Sequence, residues 1–363
     1  MSVHFPDEII DKILVRLDPK SLIKFSAVCK SWRSLIKSPT FIHTHLSRTI
    51  QPNNQNDSHL LLLVSTKADT GMIYSFRWDN PEFSEYTRLI DRFADNEERS
   101  AWYLTVVGTC NGLVCLSLGY NKLRIWNPSV RRFVILPSPI SEYIARYAFG
   151  YDSRNNDYKV LRTVNLPGQP ECYQAEIWSL ARGSWKSLGV GSTGRGFLSE
   201  LIQQPALVND AVHWVQLNTT KGENGIMWFD MVSESFGETR VPQCVTKMLM
   251  LTLRHEGNLA LLTWDSASEY HPCSYDIWVM KEYGVEESWT KLFSARHKEF
   301  IIRPLCWRNS GEIVFKMFGG GLLSLDVQTE QIKYLTRDGN DCYFLDYYVE
   351  SLVLLGEANA ISY

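Results

Sequence analysis

The chain has 363 residues, 45% of them hydrophobic, and a formal net charge of -3, a balance that fits one small and one large globular domain and argues against a dedicated nucleic-acid binder. The opening MSVHFPDEII places charges where a signal peptide needs its apolar core, and no run approaches a membrane span, so a cytoplasmic and/or nuclear protein with no membrane partner is expected. Eight cysteines without a CxxC pair then read as reduced core thiols rather than disulfides or metal ligands.

The first stretch, Phe5 to Leu46, carries helical signals. Ile9, Ile10, Ile13, Leu14 and Leu17 share one face of a 3.6-residue period, and Pro6, Asp7 and Glu8 suit a first turn. Asp18-Pro19 supplies a cap and a first-turn proline for a second helix with Leu22, Phe25, Val28 and Cys29 at the same spacing. Trp32, Leu35 and Ile36 form a third apolar face, and Ser38-Pro39 opens a fourth segment with Phe41, Ile42, His45 and Leu46. About a dozen large apolar side chains on such short helices exceed what so small a piece can hide. The surplus packs either on the rest of the chain or on a partner; Leu22, Phe25, Leu35 and Ile36 are expected in the core. The first 50 residues carry a net of +4 against -7 for the remainder, which suits an acidic partner or a solvated helix surface.

Residues 1–47 are thus expected to form a helical domain, 48–58 a polar linker and 59–363 a second domain of short strands. Within that body, RIWNP, EIWSL, IMWFD and DIWVM place Trp126, Trp178, Trp228 and Trp278 at spacings of 52, 50 and 50 residues, and LLSLD ending at Asp326 continues the series. Each copy is preceded by a turn and strand, as in CNGLVCLSL and NSGEIVFKMF, and followed by a hairpin strand, as in RRFVILP and QIKYLT. Four antiparallel strands cannot cover both faces of their own sheet, so such units stack radially into a propeller. Five blades end near Leu136, Leu188, Val241, Phe293 and Leu335. The strands near His59–Trp78 and Tyr343–Leu355 would combine as a sixth and close the ring. The period is kelch-like, and the recurring tryptophans read as filling between blades.

The order of residues from Pro6 through His45-Leu46 resembles the F-box in the form common in plant F-box families, with Phe5 where leucine is usual. TCNGLVCL, IWNPSVRRFVILP, FGYDSRNNDYKVL, IWVMKEYG with SWTKL, and YVESLVLL make the body similar to the F-box-associated domain of that superfamily, which includes S-locus F-box proteins. The resemblance implies a small all-α F-box head followed by an all-β propeller of about six four-stranded blades. It implies a substrate-recognition subunit of an SCF-type cullin–RING ubiquitin ligase, with a Skp-type adaptor and an unidentified target protein as partners. Pro6, Ile9, Ile10, Ile13, Leu14, Leu17, Val28, Cys29 and Trp32 would share adaptor contact and head core. Alternatives are a non-degradative scaffold, a glycan- or ribonuclease-recognising module and, remotely, a copper-dependent kelch-type oxidase.

Catalytic motifs are weak. Gly189 to Gly194 satisfies GxGxxG but follows a hairpin strand and lacks the helix a dinucleotide loop requires, so it reads as an inter-blade connection. His43-x-His45 has no further ligand at a useful spacing, and neither GxSxG nor HExxH occurs. No catalytic residue, metal or cofactor is expected. The sequons at Asn56 and Asn218 lack a secretory route. Specificity is expected in loops on one propeller face, with Asp91–Ala101, Asn165–Cys172, Gly189–Gly196 and Asn218–Gly225 as candidates.

Overall fold

The computed structural model describes residues 6–50, 59–67, 71–90, 104–118, 122–139, 145–192, 205–216, 225–242, 245, 249–255, 257–265, 274–296, 301–336 and 341–363. Phe5 and the polar stretch 51–58 lie outside them. The head contains α1 (Asp7–Leu14), α2 (Pro19–Phe25), α3 (Lys30–Ile36) and α4 (Pro39–Ile50). Asp18 caps α2, accepting from Ser21 N–H at 2.9 Å and Ser21 Oγ–H at 2.6 Å. The Cys29 sulfur caps α3 by accepting from Trp32 N–H, and Ser38 Oγ accepts from Phe41 N–H at the start of α4. Helix α4 continues to Ile50, past the point where the polar composition suggested a linker, because Leu46 is buried and holds the last turns against the propeller.

The body has six blades. The outer strands of the closing blade come first: β1 (Leu60–Lys67), β2 (Gly71–Trp78) and β3 (Glu85–Ile90). Blade one is β4 (Leu104–Cys110), β5 (Leu113–Leu118), β6 (Lys122–Asn127) and β7 (Arg132–Ile135); blade two is β8 (Ala145–Asp152), β9 (Asp157–Leu166), β10 (Gln169–Ser179) and β11 (Ser184–Ser192). Blade three is β12 (Ala206–Val208), β13 (Ala211–Gln216), β14 (Gly225–Asp230) and β15 (Ser235–Arg240); blade four is β16 (Leu249–His255), β17 (Asn258–Asp265), β18 (Ser274–Met280) and β19 (Trp289–Arg296). Blade five is β20 (Ile301–Trp307), β21 (Glu312–Met317), β22 (Leu322–Asp326) and β23 (Ile332–Thr336). The sixth innermost strand, β24 (Asp341–Tyr348), pairs antiparallel with β1, so strands from both ends of the body close the ring. A short β25 (Ile361–Ser362) adds a fifth strand to blade one by pairing with β7.

The repeat in the sequence is a repeat in turn chemistry. Asn127, Asp230 and Asp326 end the third strands of three blades, and each side-chain Oδ1 accepts from the backbone N–H groups two and three residues on. Four residues after each stands a left-handed residue, Arg131, Glu234 and Glu330, and Gly183 occupies the same place after Ser179. The hairpins between first and second strands also turn on left-handed residues, Asn111-Gly112 in blade one and Asn209-Asp210 in blade three.

Polar clasps join neighbouring blades. Lys159 of blade two reaches Glu234 and the Met231 carbonyl of blade three at 2.9 and 2.7 Å. In blade three, His213 lies between the Ala206 carbonyl at 3.2 Å and the Tyr283 hydroxyl of blade four at 3.0 Å, and burial pushes its pKa down to about 4. Buried Arg308 of blade five pairs with Asp79 at 2.6 Å and donates to the Asn80 carbonyl, both beside the closing blade. Trp126, Trp178 and Trp278 are buried, as their periodic placement implied, while Trp228 is half-buried.

Two readings of local sequence need correction. Gly189 to Ser192 is no connection: it is the end of β11, paired with Cys172 to Ala175. Gly191 lies over the Tyr173 ring, where an added Cβ would fall 2.5 Å from Cζ, so this glycine serves packing. The late YVESLVLL is strand only through Tyr348; the rest leaves the sheet and packs between the head and blade one.

Candidate functional site: the head, its tether and the opposite face

The head core is completed from elsewhere in the chain. Leu14, Leu22, Ile36 and Phe41 are buried together with Val130 from the β6–β7 turn and with Leu352 and Leu355 from the carboxy-terminal tail. Leu46 instead joins Cys110, Leu113, Val353 and Leu354 in the core of blade one. His45 Nε2 meets the Leu17 carbonyl at 2.8 Å; burial lowers the His45 pKa, so the neutral ring donates from this nitrogen.

The tail from Val349 to Tyr363 is wedged between head and propeller by specific polar contacts. Buried Asn127 donates through Nδ2 to the Ser351 and Val353 carbonyls at 3.0 and 2.7 Å, while its Oδ1 caps its own turn. Arg132 donates to the Leu354 and Leu355 carbonyls at 2.7 Å and the Ala360 carbonyl at 2.5 Å. Trp126 Nε1–H donates to the Tyr363 hydroxyl at 2.9 Å. Gly112, at φ 82°, passes so close that an added Cβ would lie 2.4 Å from Ser351 Oγ and the Val349 carbonyl. Sequence reasoning missed these roles for Asn127 and Arg132. A signal was present: asparagine stands where blades three and five have aspartate, and an amide can donate where a carboxylate only accepts.

The residues expected to serve adaptor contact and core fall into three groups by burial. Ile9, Ile13 and Val28 are 44%, 55% and 62% exposed, and Pro6 and Cys29 are exposed too. Leu14 is 1% exposed and belongs wholly to the core. Ile10, Leu17 and Trp32 are half-buried against that core, Trp32 standing edge-to-face on Phe25 with centroids 5.7 Å apart. Ile9 and Ile13 are one helical turn apart on α1, beside the inward line of Ile10 and Leu14. Hydrogen bonds from the Ser31 hydroxyl and Trp32 N–H lower the Cys29 pKa.

Antiparallel strand order then assigns the two faces of the propeller. First and third strands of a blade run the same way, so first-to-second and third-to-fourth turns share one face with the head. Second-to-third turns and inter-blade connections emerge on the other. All four candidate specificity stretches join strand ends on that opposite face. Asp91–Ala101 lies outside the described residues, as do 193–196 and 218–224 of two others. Asn165–Cys172 is a hairpin extension, with Pro167-Gly168 between β9 and β10, rather than an open loop.

Among the described residues no group of three or more His, Cys, Asp or Glu side chains is gathered as a metal site, and no helix is long and apolar enough to cross a membrane. Residues 63–352 match the family described as the F-box associated beta propeller domain, and residues 3–44 match the F-box domain. The chain is 28% identical to the F-box/kelch-repeat protein At3g23880 of Arabidopsis thaliana, over 96% of this chain and 95% of that one. It is 29% identical to the F-box protein CPR1 of the same plant, over 99% and 91%. A solved oligogalacturonate lyase covers 77% of this chain and 85% of its own at 8% identity and a TM-score of 0.44, a likeness too distant to bear on function. With an F-box domain at residues 3–44 and a six-bladed body matching over residues 63–352, the chain belongs to the F-box associated beta propeller family.

Proposed function

We propose that this chain is the substrate-recognition subunit of an SCF-type cullin–RING ubiquitin ligase, with residues 1–47 and 59–363 as its two working parts. Ile9, Ile13 and Val28 dock on a Skp-type adaptor, with Pro6 and Cys29 alongside and Ile10, Leu17 and Trp32 supporting them from beneath. The propeller receives a target protein on the face opposite the head. The observation that carries this reading is the exposure of Ile9, Ile13 and Val28 on the head, while Leu14, Leu22, Ile36, Phe41 and Leu46 are buried with the tail and blade one. Burying them against a partner favours association by about 25 cal/mol per Å² of apolar surface.

The chain contributes position rather than bond chemistry. Holding a target beside a charged ubiquitin-conjugating enzyme raises the effective concentration of the target's lysines. A head fixed by the tail makes that geometry reproducible, because the two working surfaces cannot drift independently. The test is capture of a Skp-type adaptor by wild type and by Ile9→Asp combined with Ile13→Asp. Both substituted side chains are exposed, so the variant retains its fold and loses the adaptor. A wild-type chain that is folded and fails to bind the adaptor refutes the proposal.

A further inference from the structure

On the propeller face opposite the head, the junction of blade five and the closing blade departs from regular sheet geometry. Tyr343 in β24 has no cross-strand partner: Ser65 pairs with Cys342 and Val64 with Phe344, leaving Tyr343 as a bulge. A second bulge falls in β20, where Ile301 pairs with Met317 and Arg303 with Lys316. Bulges of this kind re-aim side chains and recur beside functional sites. The Tyr343 ring is 41% exposed, lies 5.0 Å from Lys316 Nζ, and its hydroxyl accepts from Thr66 Oγ1 at 3.1 Å. Arg303 crosses between blades to donate to the Tyr343 carbonyl at 2.7 Å. Two residues beyond Lys316, Phe318 is 75% exposed, the most accessible large apolar side chain described, and it is presented by Gly319-Gly320-Gly321, all left-handed.

Charge adds direction. At this end of the six innermost strands the charged side chains among the described residues are Arg146, Arg303 and Asp341, with Lys316 next to them and bonded to Asp341 at 2.5 Å. Among the described residues this end of the inner strands is therefore net positive, in a chain that is net negative. Burial lowers the pKa of both arginines, so an arriving negative charge is stabilising there. Exposed aromatic rings beside arginine are the composition of binding hot spots.

We propose that this corner, formed by Arg303, Lys316, Phe318 and Tyr343, is the anchor for an acidic segment of the target protein: an extended stretch with an Asp or Glu carboxylate next to an apolar side chain. The carboxylate sits by Arg303 and the apolar group on Phe318 and Tyr343. This assignment rests on the reading that the propeller receives a target.

The test is selection of peptides on the purified full chain from a random dodecapeptide library, with a phosphoserine-containing library in parallel, followed by affinity measurements on synthetic peptides. Selected peptides carry Asp or Glu next to an apolar residue, bind more weakly as salt rises, and lose roughly tenfold or more with Phe318→Ser and with Arg303→Gln. Phe318 is exposed, so its substitution reports on contact rather than folding. Adaptor capture stays unchanged in both variants. The proposal is overturned if no acidic peptide is selected, if only phosphorylated sequences bind, or if acidic peptides bind both variants as they bind wild type. Failure of the wild-type chain to capture the adaptor is a different result and overturns the receptor reading instead.

Discussion

Asn127→Asp isolates the tether between head and propeller with the exchange of one amide for a carboxylate. The turn survives, because an acceptor oxygen remains to cap it, as Asp230 and Asp326 do in their blades. What changes is the other side of the group. Nδ2 now donates to two backbone carbonyls at 3.0 and 2.7 Å, and a carboxylate oxygen in its place faces those carbonyls with nothing to donate. Losing two buried hydrogen bonds at about 1 kcal/mol each, and placing an uncompensated charge at a fully buried position, amounts to about 3 kcal/mol or more against tail docking. That figure corresponds to an opening of the tail raised by about two orders of magnitude. Amide hydrogen exchange is the assay: peptides covering residues 349–363, and α4 beneath them, exchange about a hundredfold faster at neutral pH, while blades three to five are unchanged. Acid partly restores the wild-type pattern. The introduced carboxyl has its pKa raised in the docked state by burial, so its penalty is full above that raised pKa and shrinks as pH falls through it, where the protonated acid donates one bond again. Wild-type exchange in the tail of Asn127→Asp at pH 7 would refute the claim that this amide holds the head in place.

Leu14→Ala removes a fully buried side chain and lowers head stability by about 3 kcal/mol, whereas Ile13→Ala, one position away and exposed, stays within about 0.5 kcal/mol; the loss of helical signal on heating separates the two. His213 is held neutral by burial with its pKa near 4, below the 6.5 of an exposed ring, so its contribution is complete above pH 6.5 and is lost as pH falls toward 4, by about 3 kcal/mol in all. Urea midpoints at pH 7 and 5 show this decline, and His213→Phe flattens it. Arg308→Met takes the cation from buried Asp79, leaving it the Tyr347 hydroxyl and Asn309 N–H as donors, and costs about 3 kcal/mol or more; adding Asp79→Asn returns part of that loss, a non-additivity read from denaturation midpoints. Gly112→Ala forces a Cβ onto Ser351 and strains a left-handed residue, so it loosens the tail and is detected by the same exchange measurement as Asn127→Asp.

Much of the architecture was legible in the sequence because each blade is a local unit. Its strands are neighbours in the chain, its turns are set by Asn, Asp and Gly at fixed offsets, and its tryptophans return about every fifty residues. Even closure followed from local facts, since unmatched strands at the two ends of the body had only each other to pair with. The helices of the head were equally local, announced by Asp18-Pro19, Ser38-Pro39 and the spacing of their apolar residues.

What the sequence could not divide was the apolar surface of that head. Ile9, Ile13 and Leu14 have the same character and nearly the same position on one helix, yet Leu14 is buried and the two isoleucines are exposed, because Leu352, Leu355 and Val130 arrive from far along the chain to cover only one side. The tail itself has no periodicity after Tyr348, and its bonds to Asn127 and Arg132 span more than two hundred residues. Contacts of that kind depend on where the closed ring delivers its last strand. Sequence alone therefore determined a helical head, a six-fold β-body and the chemistry of their turns, while the tertiary structure decided which side of the head remains open to a partner.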